Sequence, residues 1–391
     1  MSLKPSRAPG PLAGTLVLDL TRVLAGPFCT LVLVDLGARV IKVEAPEGED
    51  ARRIGPFIEG HSAYFLSLNR GKESIALDLK EQADRVIFEK LLARADVLAE
   101  NFRPGVMGRL GYGWEALHER FPRLVMASTS GFGQTGPYAG RPAYDLVVQG
   151  MGGIMSLTGH PGGPPTRVGT STGDITAGLF TAIGIQAALL ERERSGRGRH
   201  VDVAMLDCQV ATLENAIARH QATGQAPGPL GSRHPSITPF EVFATREGHV
   251  IIAAGNDALF EDLCRSIGRP ELSSDARFLS NEDRTRNVEA LKTLLEEALA
   301  ARSAGEWLAL LEQAGIPCGP LNDVAAVVAD PQVLARNMMV TVEHAVAGSL
   351  ALAGNPVKLS GVADPAVREP APELDEHRAK ILIELEEPRG V

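Results

Sequence analysis

The sequence predicts an α/β protein built on a doubly wound, mostly parallel sheet, and three observations carry that prediction. Short apolar runs alternate with longer segments of helical spacing through the first half of the chain. At 391 residues the chain exceeds the size at which single hydrophobic cores stop growing, so two domains are expected. A stretch rich in Gly and Pro from Thr223 to Pro239 then sets off a second group of elements, and it reads as a linker.

Taken in order, Thr15 to Leu20 reads as a short buried strand, and Gly26-Pro27 leads into a helix from Phe28 to Leu36 that Gly37 ends. Arg39 to Val43 completes a β-α-β unit. Ser74 to Leu77 and Ala95 to Ala99 are further strands around a helix from Gln82 to Ala93, and a helix within Val106 to Glu119 precedes the strand Leu124 to Thr129. Ile175, Leu179, Ile183 and Leu190 keep near-helical spacing over Ile175 to Arg194, with Ser195-Gly196 as the stop. A strand from His200 to Leu206 and a helix from Cys208 to Ala222 follow. Beyond the linker come a strand from His249 to Ala254, helices from Ala258 to Ile267 and within Val288 to Ala301 and Ala304 to Ala314, and a turn at Gly315 to Pro320. Asp330-Pro331 opens a short helix, Met339 to Glu343 and Leu350 to Leu352 are strands, and a last helix lies around Glu376 to Glu386.

With 48 acidic against 39 basic residues the chain is net negative, which argues against nucleic acid or an anionic membrane as partner. Cys29, Cys208, Cys264 and Cys318 are scattered, with no metal-type spacing to any of the nine histidines, so they read as reduced and no metal is expected. The first ten residues lack the apolar core of a signal peptide and no apolar run approaches a transmembrane length. The expected compartment is the cytoplasm.

Two short motifs point to chemistry. Gly131-Phe132-Gly133-Gln134-Thr135-Gly136 spells G-x-G-x-x-G directly after a strand, but Pro137, Gly140 and Pro142 would break the helix that dinucleotide binding requires. It reads better as a glycine-rich loop near a site, as do Gly150 to Gly153 and Gly159 to Pro165. Gly169 to Gly173 spells G-x-S-x-G around Ser171, the nucleophile elbow of hydrolases, yet Gly162 to Arg167 does not suit the buried strand an elbow needs. Asp174, next in line, falls at a helix N-terminus. It is either an ordinary cap or a reactive carboxylate.

Across these and further segments, the sequence resembles the family III CoA-transferases, the group that includes formyl-CoA transferase, carnitine CoA-transferase and α-methylacyl-CoA racemase. The resemblance runs through Val17 to Pro27, Gly37 to Glu44, Asn69 to Lys72, Leu77 to Lys80, Glu100 to Gly105, Gly131 to Pro137, Tyr144-Asp145, Gly173-Asp174 and Gly315 to Pro320. It implies a Rossmann-like large domain made from both chain ends, with residues 11–222 as its first part and 326–391 completing it. A small α+β domain at 240–325 is inserted after the linker at 223–239, and two chains interlock as a homodimer.

The resemblance also implies an acyl-CoA:carboxylate CoA-transferase in which Asp174 is the nucleophile, with acyl-CoA and a small carboxylic acid as substrates and no tightly bound cofactor. An ionised carboxylate at a helix N-terminus is expected there, with backbone N–H groups near it for the oxyanions. CoA contacts carried over by matching positions are Val23, Leu24, Ala25, Leu77, Lys80, Asn101, Phe102 and Arg109. Ala45 stands where formyl-CoA transferase has an arginine, so Lys42 or Arg70 is the expected substitute, and the Gly255-Asn256 turn is the expected cover of the site. The racemase branch uses a His directly before the aspartate matching Asp145; this chain has Tyr144, a poor base near neutral pH, which favours transfer over racemisation.

Overall fold

The computed structural model describes residues 10–387. Six strands form one sheet: β1 (Leu16–Asp19), β2 (Arg39–Glu44), β3 (Glu73–Ala76), β4 (Val97–Glu100), β5 (Val125–Ser130) and β6 (His200–Ala204). Every pair is parallel and the order is β3-β2-β1-β4-β5-β6. Alternate residues of one strand serve opposite cores: Val17 packs with Val40, Val97 and Val125 on one face, and Leu18 with Ile41, Ile75 and Leu98 on the other. A sheet buried on both faces is what the near-continuous apolar runs called for.

Four helices bear on the site: α1 (Ala25–Asp35), α2 (Ala63–Asn69), α3 (Asp145–Met151) and α4 (Thr172–Ser195). By length and composition α4 could cross a bilayer, against the reading that no segment approaches that length. Here its face of Ala177, Thr181, Ile185 and Ala188 is buried within the protein. Small residues set its approach to α1, since a Cβ on Gly178 would lie 2.7 Å from the Ala25 carbonyl oxygen.

The chain divides into two compact units. One holds the described residues up to Met155, Arg167–Gly224 and those from Pro331 onward. Besides the six-stranded sheet it contains a three-stranded one from Met339–His344, Gly348–Ala353 and Val367–Arg368, and the helix Arg378–Glu386, whose Ile381 and Leu385 join the large core. The other unit, Ser156–Thr166 with Gln225–Asp330, has its own core around Phe243, Phe260, Phe278, Leu295 and Trp307.

Some elements differ from expectation. The helix read at Cys208 to Ala222 is two, Met205–Ala211 and Ala216–Thr223, because Glu214 takes a left-handed conformation at φ 55. Phe240–Ala244 is a strand that sequence reading passed over. The turn read at Gly315 to Pro320 ends in a strand, Cys318–Pro320, which takes the sheet edge where proline is tolerated.

Candidate active site

All six parallel strands end at one edge of the sheet, and the winding direction reverses between β1 and β4. In open α/β sheets a ligand sits in the crevice outside such a reversal. The loops that flank it here are the turn from β1 into α1 and the segment after β4.

Val23, Leu24 and Ala25 make the first of these. Asp19 accepts the Thr21 N–H at 2.8 Å and its hydroxyl at 2.5 Å; the Asn101 amide accepts the Arg22 N–H at 2.9 Å and donates to the Arg22 carbonyl at 2.8 Å. Glu49 then accepts the Val23 N–H at 3.0 Å. Val23 has φ 65 and is the β-branched member of five non-glycine residues with positive φ among those described. That conformation costs about 1–3 kcal/mol and persists only where the surroundings hold it. Helix α1 opens with no acidic residue and no side-chain cap, and Pro27 has no N–H, so the Ala25 and Gly26 N–H groups face an uncapped helix end.

Beneath the turn, Asp19 also accepts from the Thr30 hydroxyl at 2.7 Å and the Lys72 ammonium at 2.9 Å. Burial opposes its ionisation, but the charges of Lys72 and Lys42 and the Thr21 bond outweigh burial and hold it at about 2. Burial in turn brings Lys72 down to about 8, against the attraction of Asp19.

The remaining matched positions are dispersed. Phe102 follows β4, with the Arg22 guanidinium 5.4 Å from its ring centre. Leu77 and Lys80 follow β3, two strands away from β1, or roughly 10 Å at normal strand spacing. Leu77 is buried in the core, so only its backbone is available, while Lys80 and Arg109 are exposed. The expected substitutes for the missing arginine at Ala45 are corrected by the structure. Lys42 is fully buried, bound to the Thr21 carbonyl at 2.8 Å and paired with Glu49; Arg70 is 2% exposed and clamps Asp35 with two bonds of 2.7 Å. Neither cation is free to meet a phosphate.

Asp174 is the third residue of α4 and not its cap. Ser171 occupies the cap position without a side-chain bond, and the N-terminus is capped from another element: Asp145, first in α3, accepts the Gly173 N–H at 2.8 Å. Gly173 is needed for this approach, since a Cβ there would lie 2.7 Å from Val148. Asp145 is held in place by Gln149 at 2.7 Å and Arg167 at 3.5 Å. The Asp174 carboxylate makes no hydrogen bond to any described residue. Burial, and then the charge of Asp145, push it up to about 7. That direction runs against the plainly ionised carboxylate expected at a helix N-terminus.

The Tyr64 phenol on α2 is pushed up to about 12 by burial and then by the charges of Asp174, Glu49 and Asp145, so it stays a neutral donor near them. Tyr64, Glu49 and Arg167 were not singled out from sequence, where nothing distinguishes them from surface or core residues. Because Gly178 meets Ala25, and Asp174 precedes Gly178 by four residues, Asp174 stands about 6 Å along α4 from the start of α1.

No strand precedes Ser171, so the elbow that the serine reading needs is absent from the described residues. Likewise no helix follows Gly131 to Gly136 before Asp145, which leaves that motif as a loop. Tyr144 is 77% exposed. Asn256, in the second unit, caps the helix Asp257–Ser266 through the Leu259 N–H at 2.9 Å. His61, His344 and Glu373 lie together, but the His344 Nδ1 accepts from the Val346 and Ala347 N–H groups, which puts its proton on Nε2, facing Glu373.

The family model for CoA-transferase family III matches residues 12–378. The chain is 51% identical to acetyl-CoA:oxalate CoA-transferase from Acetobacter aceti, over 99% of this chain and 98% of that one. It is 39% identical to succinate–glutarate CoA-transferase from Agrobacterium fabrum, over 99% and 98%. Among solved structures, a CaiB/BaiF family protein from Brucella suis aligns with TM-score 0.85 at 42% identity, covering 96% of this chain and all of the other. An aspartate-to-alanine variant of a Mycobacterium tuberculosis protein aligns with TM-score 0.85 at 35% identity, covering 95% and 99%.

Proposed function

The chain belongs to CoA-transferase family III, and we propose that it moves CoA from an acyl-CoA donor to a small dicarboxylic acid, oxalate foremost, with Asp174 as nucleophile. The observation that carries the reading is the unpaired Asp174 carboxylate in the first turn of α4, its charge disfavoured by burial and by Asp145. A carboxylate with a raised pKa is the better nucleophile once ionised.

The ionised oxygen attacks the thioester carbonyl, and the tetrahedral adduct expels CoA as thiolate to leave a mixed anhydride. The thiolate attacks the aspartyl carbonyl and expels the donor acid, leaving an aspartyl-CoA thioester. The acceptor carboxylate attacks that thioester, and the released thiolate takes the acceptor acyl group, restoring Asp174. No proton is consumed and no tightly bound cofactor is required. The turn at Val23, Leu24 and Ala25 would face the CoA end, with the uncapped N–H groups of α1 as donors. Asn101 would fix that turn, while Phe102, Leu77, Lys80 and Arg109 would complete the CoA site.

The same family reading makes the working protein a homodimer, with residues 223–239 as a linker to a small domain at 240–325. The exposed apolar side chains Leu179, Ile183 and Leu190 on α4 and Leu146, Val147 and Met151 on α3 support a partner subunit there.

The experiment mixes the protein with acetyl-CoA or succinyl-CoA and oxalate, succinate or glutarate, and follows new CoA thioesters by mass spectrometry. Formation of a new thioester that survives Ser171→Ala and disappears in Asp174→Ala is expected. Free CoA alone, lost with Ser171→Ala, would make the protein a thioesterase, and α-proton exchange on a 2-methylacyl-CoA without transfer would make it a racemase.

A further inference from the structure

The turn from β1 into α1 is held by side chains from three different strand ends, and one of these has no partner role in the chemistry just described. Glu49 follows β2 and is 6% exposed. One of its carboxylate oxygens accepts two backbone N–H groups, Val23 at 3.0 Å and Ala51 at 2.9 Å; the other faces the Lys42 ammonium at 3.2 Å. Lys42 reaches from the same carboxylate back to the Thr21 carbonyl at 2.8 Å. Glu49 and Lys42 thus tie both sides of the residue pair 22–23 to β2.

What they hold in place is unfavourable by itself. A valine at φ 65 pushes its branched Cβ against its own backbone, and glycine or asparagine would be the ordinary choice. Glu49 is buried beside this residue with its charge directed at the Val23 N–H, so the strained turn and the buried carboxylate are mutually dependent.

We propose that Glu49 is a positioning residue for the transferase: it fixes the Val23 turn in the left-handed conformation that aims the start of α1 at the CoA thioester, without touching substrate. The proposal rests on the reading of the Val23–Ala25 turn as the CoA loop. Strain of this kind is kept at ligand clamps because it preorganises them. A turn free to relax would bind its ligand with a penalty, and the penalty would fall on binding more than on turnover at saturation.

The test uses the full-length enzyme, steady-state kinetics against acyl-CoA at saturating dicarboxylate, and a thermal melt on each variant to show that it folds. Glu49→Ala should raise the KM for acyl-CoA by on the order of tenfold while kcat changes less than about twofold. Adding Val23→Gly to Glu49→Ala should recover most of that loss, because glycine takes φ 65 without strain; a merely structural role for Glu49 would not be rescued this way. Leu24→Asp tests the underlying reading separately. Aspartate is a favourable cap, so the protein folds, but its carboxylate occupies the N–H groups at the start of α1 and should raise the same KM.

An unchanged KM in Leu24→Asp would overturn the CoA-loop reading and the proposal with it. A raised KM in Leu24→Asp with no change in Glu49→Ala, or with no rescue by Val23→Gly, would overturn the proposal alone. A fall in kcat at unchanged KM in Glu49→Ala would assign Glu49 to the chemical step and overturn it as well.

Discussion

The turn after β1 and the start of α4 are both loop-to-helix junctions of the same α/β unit, and each carries an aspartate. They treat it in opposite ways. Asp19 is fully buried and satisfied, accepting from Thr21, Thr30 and Lys72, and is held at about 2. Asp174 is partly buried, unbonded and close to a second carboxylate, and is pushed up to about 7. Partners, and not residue type, decide which carboxylate is inert. The β1 turn spends its polar groups on being rigid, whereas α4 has its capping done by Asp145 and so leaves Asp174 unoccupied.

The largest effect is expected at Asp174. On the proposed covalent route, Asp174→Ala is expected to lower kcat for thioester exchange by at least about 10⁴-fold, because that route would be lost and not merely weakened. Retention of more than a hundredth of the activity would mean that Asp174 is a bystander. At the inert end the expected damage is to stability. Asp19→Asn keeps the shape but removes the buried counter-charge of the Lys72 ammonium, which retains only neutral acceptors on Pro27, Thr30 and Asn69, and breaking a buried pair in this way costs about 3–5 kcal/mol. A urea denaturation series would show it as a shifted midpoint at similar slope, and a loss below about 1 kcal/mol would mean that the two ends do not differ as described.

The sheet was legible because strands buried on both faces leave continuous apolar runs, and Asp174 was legible because Gly173-Asp174 sits just where helical spacing begins. The helix was read partly for the wrong residues, however. Leu179, Ile183 and Leu190, which supplied the period, are exposed, while Ala177, Gly178, Thr181 and Ala182 make the buried face. Hydropathy passes over small residues even where close approach demands them. Glu49 and Arg52 lie in Glu47 to Arg53, a stretch that reads as a solvated charge run; their burial follows from contacts with β2, which no local pattern encodes. The strands Phe240–Ala244 and Cys318–Pro320 were hidden for a similar reason. One adjoins a Gly- and Pro-rich linker, and the other carries Gly and Pro itself at a sheet edge.

The two aspartates should also give opposite pH dependences of stability. Asp19, with its folded pKa lowered, stabilises the fold above its unfolded pKa near 4, and that contribution is lost as pH falls through about 2. For Asp174 the folded pKa is raised, so between about pH 4 and 7 the folded state binds more proton than the unfolded one, and stability declines as pH rises through that window. Replacing it with asparagine removes the decline. A shift of about three units corresponds to about 4 kcal/mol at most, and the partial exposure of Asp174 reduces this to about 1–2 kcal/mol. Asp174→Asn should therefore be as stable as the parent below pH 4 and about 1–2 kcal/mol more stable at pH 8, read as the difference between urea midpoints at the two pH values. Equal gains at both would trace the effect to packing. No gain at either would mean that the carboxylate carries its charge at no cost, and the contrast with Asp19 would then rest on hydrogen bonding alone.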